Sequence, residues 1–287
     1  MKQYHANGIK FVERDNTLFA EISQFGVTTI YPIKKPKKNT QIKYILMDLD
    51  GTTVRSEQFW MYLIECTMKK LLNDNSFKFT KEDEPFVCGY STPEHLKYCK
   101  KKYHFQESIE EALVVYNEIT DFELKEISEG RGNSDAFKPR PGLKEFLLFL
   151  KEKGIKVGLA TSGLDYKSIP EIVAAFRHMG MGEPLSIYDA IVTGGSLPKK
   201  GEYVHVSELI AKPHPWVYKQ LAEALGVKDN REALIIEDSA SGVVAARAAG
   251  FNVIGFDDGN LISSNLDEQC LFLANTFKDI EQFINKQ

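Results

Sequence analysis

The chain has 287 residues, 43% of them hydrophobic and 26% charged, with a formal net charge of -4 at pH 7. That length suits about two domains, and that balance excludes a disordered chain and offers no general surface for nucleic acid. No run reaches the roughly 18 apolar residues of a membrane span, and the first twenty residues lack the apolar segment of a secretory signal. Cys66, Cys88, Cys99 and Cys270 are scattered, without the close pairs that metal clusters and redox motifs use, and read as reduced thiols. The expectation is a soluble cytoplasmic protein with no membrane and no nucleic-acid partner. Nothing in the pattern sets its oligomeric state.

Residues 8 to 33 carry three short alternating segments, "GIKFVER", "TLFAEIS" and "VTTIYPI". They are separated by Asp15-Asn16 and by Gln24-Phe25-Gly26, which are turn chemistry, so a three-stranded meander is expected. The lysine-rich "KKPKKNTQ" (34 to 41) reads as a solvated spacer. Residues 1–41 are thus an N-terminal meander and linker, whose expected role is to cover a sheet edge or an apolar patch. Deleting them should change stability or assembly more than chemistry.

The next stretch, "YILMDLDGTTVRSE" (44 to 57), is an apolar run broken by two aspartates, Asp48 and Asp50. Like charges that close raise each other's cost of ionisation unless a cation or a proton intervenes. Further buried-strand signals are "IKVGLA" (155 to 160), "DAIVTG" (189 to 194), "ALIIE" (233 to 237) and "NVIGF" (252 to 256). Helix-like segments lie among them, "GLKEFLLFLKEKG", "PWVYKQLAEALG" and "ASGVVAARAAG". Alternation of this kind predicts a parallel sheet covered by helices, with ligands beyond the carboxyl ends of the strands. Residues 56–139 show helical periodicity instead and end near "FKPRPG", where two prolines disfavour helix. They are expected to form a helical cap emerging from a core made of 42–55 and 140–287.

Four strand ends carry polar residues: Asp48 and Asp50, Thr161 and Ser162, Lys212, and Glu237 with Asp238. The carboxylates offer the hard oxygen ligands that Mg²⁺ prefers, while Thr161 and Lys212 offer donors for an anionic oxygen. A phosphate held against Mg²⁺ fits both sets, with one paired aspartate attacking phosphorus and the other carrying a proton. Taken singly, Glu237-Asp238 could simply open a helix, Lys212 could be a surface lysine and Thr161 a turn hydroxyl.

The motifs "DLDGTTV" (48 to 54), "LATS" (159 to 162), "KPHPWVY" (212 to 218) and "EDSASGVVAARAAG" (237 to 250) stand in one order. Together they resemble the haloacid dehalogenase-like superfamily, in its capped phosphatase and β-phosphoglucomutase-like branch. The resemblance implies an α/β fold, a Rossmann-like parallel sheet core with a helical cap domain and, here, a small N-terminal β extension. It also implies a Mg²⁺-dependent phosphatase acting on a small phosphorylated metabolite through an aspartyl-phosphate. Asp48 would be the nucleophile, and Asp50 the general acid and then base. Thr161 and Lys212 would contact the phosphoryl group, with Ser162 beside them. Asp48, Glu237, Asp238 and the backbone carbonyl of Asp50 would hold Mg²⁺. A sugar phosphomutase is the rival reading, and a catalytically silent binding module is a third.

Several features depart from the family pattern. The position of the mutases' cap histidine, ten residues after the second aspartate, is Trp60, which cannot relay a proton. Arg55 stands where relatives commonly have an acid, and could read a second anionic group of the substrate or pair with Glu57 on the surface. "CGYSTPEHLKY" (88 to 98) resembles the substrate-specificity loop, making Tyr90 and Ser91 candidates for the leaving group. Equally, Ser91 or Thr92 could cap a helix with Pro93 in its first turn. "GGSLPKKG" (194 to 201) lacks the Gly-Lys-Ser/Thr ending of a phosphate-binding P-loop. The long connection from Ser196 to Ala211 could close over substrate or ornament the surface.

Overall fold

The computed structural model describes residues 3–6, 9–15, 17–24, 27–33, 38–80, 83, 92–133, 135–196 and 211–287. Its first strands are β1 (Gln3–Ala6), β2 (Ile9–Arg14), β3 (Thr17–Gln24) and β4 (Val27–Ile33), an antiparallel sheet in that order. The expected meander had three strands. The added β1 is four residues of mostly polar sequence, too short to show an alternation, and its Tyr4 stacks on Phe11 of β2 at 4.8 Å. Alternate residues Ile9, Phe11, Ala20 and Ile22, with Ile33, enter the same core as the main sheet. The meander thus covers an apolar patch of the first unit's core, the role expected of it.

The main sheet has six strands in the order β12-β11-β10-β5-β8-β9, and all its pairings are parallel. They are β5 (Tyr44–Asp48), β8 (Lys156–Ala160), β9 (Ala190–Val192), β10 (Ala233–Glu237), β11 (Asn252–Phe256) and β12 (Leu273–Ala274). Strands β5 and β10 read as unbroken apolar runs because helices cover both faces. From β5 the chain runs outward through β8 and β9, then crosses back to β10 and runs the other way. This is a Rossmann-like sheet whose switch point lies between β5 and β10, the place where such sheets bind ligands.

The chain divides into two compact units, one of Met1–Val54 with Pro139–Gln287 and one of Arg55–Lys138. It leaves the first through β6 (Val54–Arg55) and returns through β7 (Lys138–Pro139), which pair with each other. The second unit holds α1 (Glu57–Leu71), α2 (Thr92–Tyr103) and α3 (Ile109–Ser128). Helix α3 begins with a reciprocal capping box between Ser108 and Glu111, and buries Ala112, Tyr116, Thr120, Leu124 and Ile127 at helical spacing. The first unit adds α4 (Leu143–Glu152), α5 (Asp165–Met179), α6 (Trp216–Leu225), α7 (Ala240–Ala249) and α8 (Phe277–Asn285). Helix α5 was not foreseen because Pro170 interrupts its pattern; the proline sits within the first two turns. No helix among the described residues is long and apolar enough to cross a membrane.

One buried charge organises the second unit. Asp83, fully buried, accepts from the Thr80 amide (2.8 Å) and hydroxyl (2.7 Å), the Tyr98 and Tyr103 hydroxyls (2.7 Å each) and Lys102 Nζ (2.6 Å). Burial alone would raise its carboxyl, but the bonds from Lys102, Thr80 and Tyr103 outweigh it and hold it well below the ordinary range. A depressed folded pKa contributes stability that is present above the unfolded value, about 3.9, and is lost as pH falls through the folded one. Asp83→Asn is therefore expected to cost about 3 kcal/mol at neutral pH. In thermal melts the gap between wild type and variant should narrow below about pH 4; a gap independent of pH would show that packing, not charge, holds this cluster.

Candidate active site

Register brings the candidate residues together. Met47 pairs with Ile236, so Asp48 and Glu237 follow side by side at the ends of β5 and β10. On the other flank Asp48 pairs with Ala160, which puts Thr161 one residue beyond. Lys212 reaches in from the segment before α6. Its ammonium bonds Asp48 Oδ1 and lies 2.6 Å from Glu237 Oε1, and its side chain is 7% exposed.

The two carboxylates differ in their surroundings. Glu237 Oε1 also accepts from the Tyr218 hydroxyl at 2.6 Å, while Oε2 accepts from the Asp238 and Ser239 amides and the Ser239 hydroxyl at 3.0 to 3.1 Å. Gly242 in the first turn of α7 makes room for it, since a Cβ there would lie 1.7 Å from Glu237 Oε1. With both oxygens engaged by protein donors, Glu237 is built to hold Lys212. Asp48 has fewer partners. Burial and then the Glu237 charge push its carboxyl well above the ordinary range, with Lys212 opposing.

Asp238 completes the group. Burial and Glu237 push it up to about 7, against the Thr52 hydroxyl, which donates to its Oδ1 at 3.0 Å. Oxygens of Asp48, Glu237 and Asp238 lie within 4.8 Å of one another. Three acids share one lysine in a buried place, an excess of negative charge that a cation relieves, so the donor set fits a hard divalent ion. Asp48 and Asp238 are the better ligands, because the oxygens of Glu237 are already committed.

The turn after β5 closes tightly on Asp238. The Gly51 and Thr53 amides bond back to Val54 and Leu49, and the Thr53 hydroxyl bonds the Asp48 carbonyl. Gly51 has φ +79°, and a Cβ there would lie 2.1 Å from Asp238 Oδ2. Arg140 clamps this turn from outside. Its guanidinium donates twice to the Gly51 carbonyl (3.0 and 2.6 Å) and twice to Asp258 (3.0 and 2.8 Å), and it stacks on Phe256 at 3.9 Å. Its own amide bonds the Thr53 carbonyl at 2.9 Å. The "FKPRPG" stretch had been read only as a helix breaker. A cation between two prolines was the one signal available for Arg140, and Tyr218 and Thr52 carried none beyond lying in the quoted motifs.

The remaining candidates fare differently. Thr161 is buried, with its hydroxyl accepting from the Gly163 amide at 2.9 Å. Ser162, expected to face substrate, accepts from the Lys212 amide at 2.9 Å and so holds the lysine segment. Asp50 and Arg55 are exposed. Tyr90, Ser91 and residues 197–210 of the long connection lie outside the described residues.

Residues 42–250 match the model of the haloacid dehalogenase-like hydrolases. The chain belongs to this family. Among curated proteins, this hydrolase is 31% identical over 145 residues to a phosphorylated carbohydrates phosphatase of Thermotoga maritima, covering 50% of the chain and 58% of that protein. It is 26% identical over 234 residues to a phosphoglycolate phosphatase of Haemophilus influenzae, covering 77% and 88% respectively. The structure of CbbY from Rhodobacter sphaeroides in complex with phosphate superposes with a TM-score of 0.58 at 20% identity, over 83% of this chain and 96% of that one. At that identity the likeness speaks for the fold.

Gly51→Ala tests the grip of the turn on Asp238. Strain in the left-handed region, about 1 to 2 kcal/mol, adds to displacement of the carboxylate. The hydrolase should lose at least about tenfold in divalent-cation affinity, read as a smaller rise of Tm with added Mg²⁺. An undiminished rise would remove Asp238 from the cation site.

Proposed function

We propose that this phosphoric monoester hydrolase dephosphorylates a small phosphorylated metabolite, with Asp48 as nucleophile and Mg²⁺ as cofactor. The observation that carries the reading is the buried Lys212 ammonium shared between Asp48 and Glu237 at a strand end. It directs a carboxylate and a fixed positive charge to one point, which is what transfer of a dianionic phosphoryl group requires. The relatives named as phosphatases of phosphorylated carbohydrates and of phosphoglycolate support the substrate class.

In the first step an Asp48 oxygen forms a bond to phosphorus while the bond to the leaving oxygen breaks, and Asp50 gives that oxygen its proton. In the second, Asp50 takes a proton from water as the water oxygen attacks phosphorus. The Asp48 oxygen departs, releasing phosphate and restoring both aspartates. Lys212 and the Thr161 hydroxyl donate to phosphoryl oxygens throughout. Asp48 and Asp238, with the Asp50 carbonyl, would hold the Mg²⁺, which supplies positive charge against the phosphoryl oxygens. Trp60 packs edge-on to Phe59 at 5.4 Å and against Phe137 at 5.7 Å. An indole at that position supports hydrolysis over the phosphomutase reading, because it offers no base to relay a proton.

Release of phosphate from an aryl phosphate should depend on Mg²⁺ and stop with chelator. Asp48→Asn should abolish covalent phosphorylation and lower kcat by at least about 10³-fold, whereas Asp50→Asn should lower it about 10²-fold or more through proton transfer. Full activity in chelator, or normal turnover by Asp48→Asn, would overturn the mechanism.

A further inference from the structure

Lys212 stands in the sequence Lys212-Pro213-His214-Pro215-Trp216. Each proline fixes its own φ and keeps the preceding residue out of the helical region. The segment therefore has few ways to bend, and a restraint applied at His214 reaches the Lys212 backbone with little loss. Such a restraint is present. His214 is 2% exposed, and its Nδ1 is hydrogen-bonded to the Tyr31 hydroxyl at 2.8 Å. The two rings meet edge to face at 5.7 Å.

Tyr31 belongs to β4 of the N-terminal sheet, which is fixed in turn. Ile9, Phe11, Ala20, Ile22 and Ile33 share a core with Val243 and Val244 of α7, the helix that follows Glu237 and Asp238. The lysine segment is thus held from two sides, by Ser162 at the Lys212 amide and by Tyr31 at His214. An ammonium that must meet two carboxylates at once tolerates little displacement, and misplacement of about 1 Å can cost a hundredfold in rate.

We propose that Tyr31 is a positioning residue for Lys212, so that the N-terminal sheet takes part in catalysis as well as covering the core. The proposal rests on the phosphatase reading above, in which Lys212 acts on the phosphoryl group. Tyr31→Phe removes the hydroxyl and keeps the ring. With p-nitrophenyl phosphate and Mg²⁺ it should lower kcat roughly three- to tenfold, the span of one hydrogen bond, with KM unchanged, while Tm falls by only a few degrees and the variant stays fully folded in the assay. His214→Phe should do the same, and the double variant should be no slower than the slower single, since both remove one interaction. Unchanged kcat in Tyr31→Phe, a loss that vanishes when the assay is run well below the variant's Tm, or single losses that multiply in the double variant would each overturn it. Lys212→Met separates the two levels. If it is inactive while Tyr31→Phe runs at full speed, the positioning role alone fails; if it turns over normally, the phosphatase reading of the site fails and takes this inference with it.

Discussion

The site turns on one ammonium group shared by two buried carboxylates. Removing Lys212 from water is costly, and so is removing Asp48 or Glu237; each charge is tolerable only because the others are there. Burial would lower the Lys212 ammonium, yet Asp48 and Glu237 hold it above its ordinary value, so it stays charged. The compensation is incomplete, because Asp238 adds a third acid; among the described residues Lys212 is the cation paired with the cluster, and Arg140 acts on Asp238 from farther off. That residual negative charge is the physical reason to expect a divalent cation. The fold carries the strain of an unfinished charge balance at the place where a ligand completes it.

Delivering these groups to one point is the work of the sheet. Parallel pairing sets Asp48 between the ends of β10 and β8, and the reversal of strand order at β5 opens the crevice above them. Strand ends alone would leave the turn after Asp48 free to move. Arg140 removes that freedom by joining the Gly51 carbonyl to Asp258 over the face of Phe256. Because Arg140 directly follows β7, the residue that fixes the turn after Asp48 stands one place beyond Pro139, where the chain re-enters the first unit.

Residue type and order in the sequence were enough to expect Asp48, Thr161, Lys212 and Asp238 at one rim, because buried apolar runs locate parallel strands and strand ends locate ligands. The strands β5, β8, β10 and β11 were legible for the same reason. What escaped depends on partners distant in sequence. Nothing local shows that the Ser162 hydroxyl accepts from the Lys212 amide. Nor does the local sequence show the donors that engage Glu237 within the acidic cluster, two of them Lys212 and Tyr218 from another segment. Nothing local in the N-terminal strands reveals that Phe11 and Ile22 share a core with Val243, or that Tyr31 meets His214 across 183 residues of chain.

The different surroundings of the paired aspartates match the different tasks assigned to them in the proposed cycle. A nucleophile must present one protonation state and one direction at every turnover. Asp48 is buried, with a lysine on its carboxylate and its own carbonyl tied to Thr53. A proton carrier must instead change state twice in each cycle. Asp50, two residues on, is exposed. The end of the strand produces this contrast: β5 stops at Asp48, Leu49 is wholly buried, and the sharp turn at Gly51 follows at once. The two carboxylates are thereby kept close in space but placed in unlike media, which is how one pair of identical side chains can serve as nucleophile and as acid.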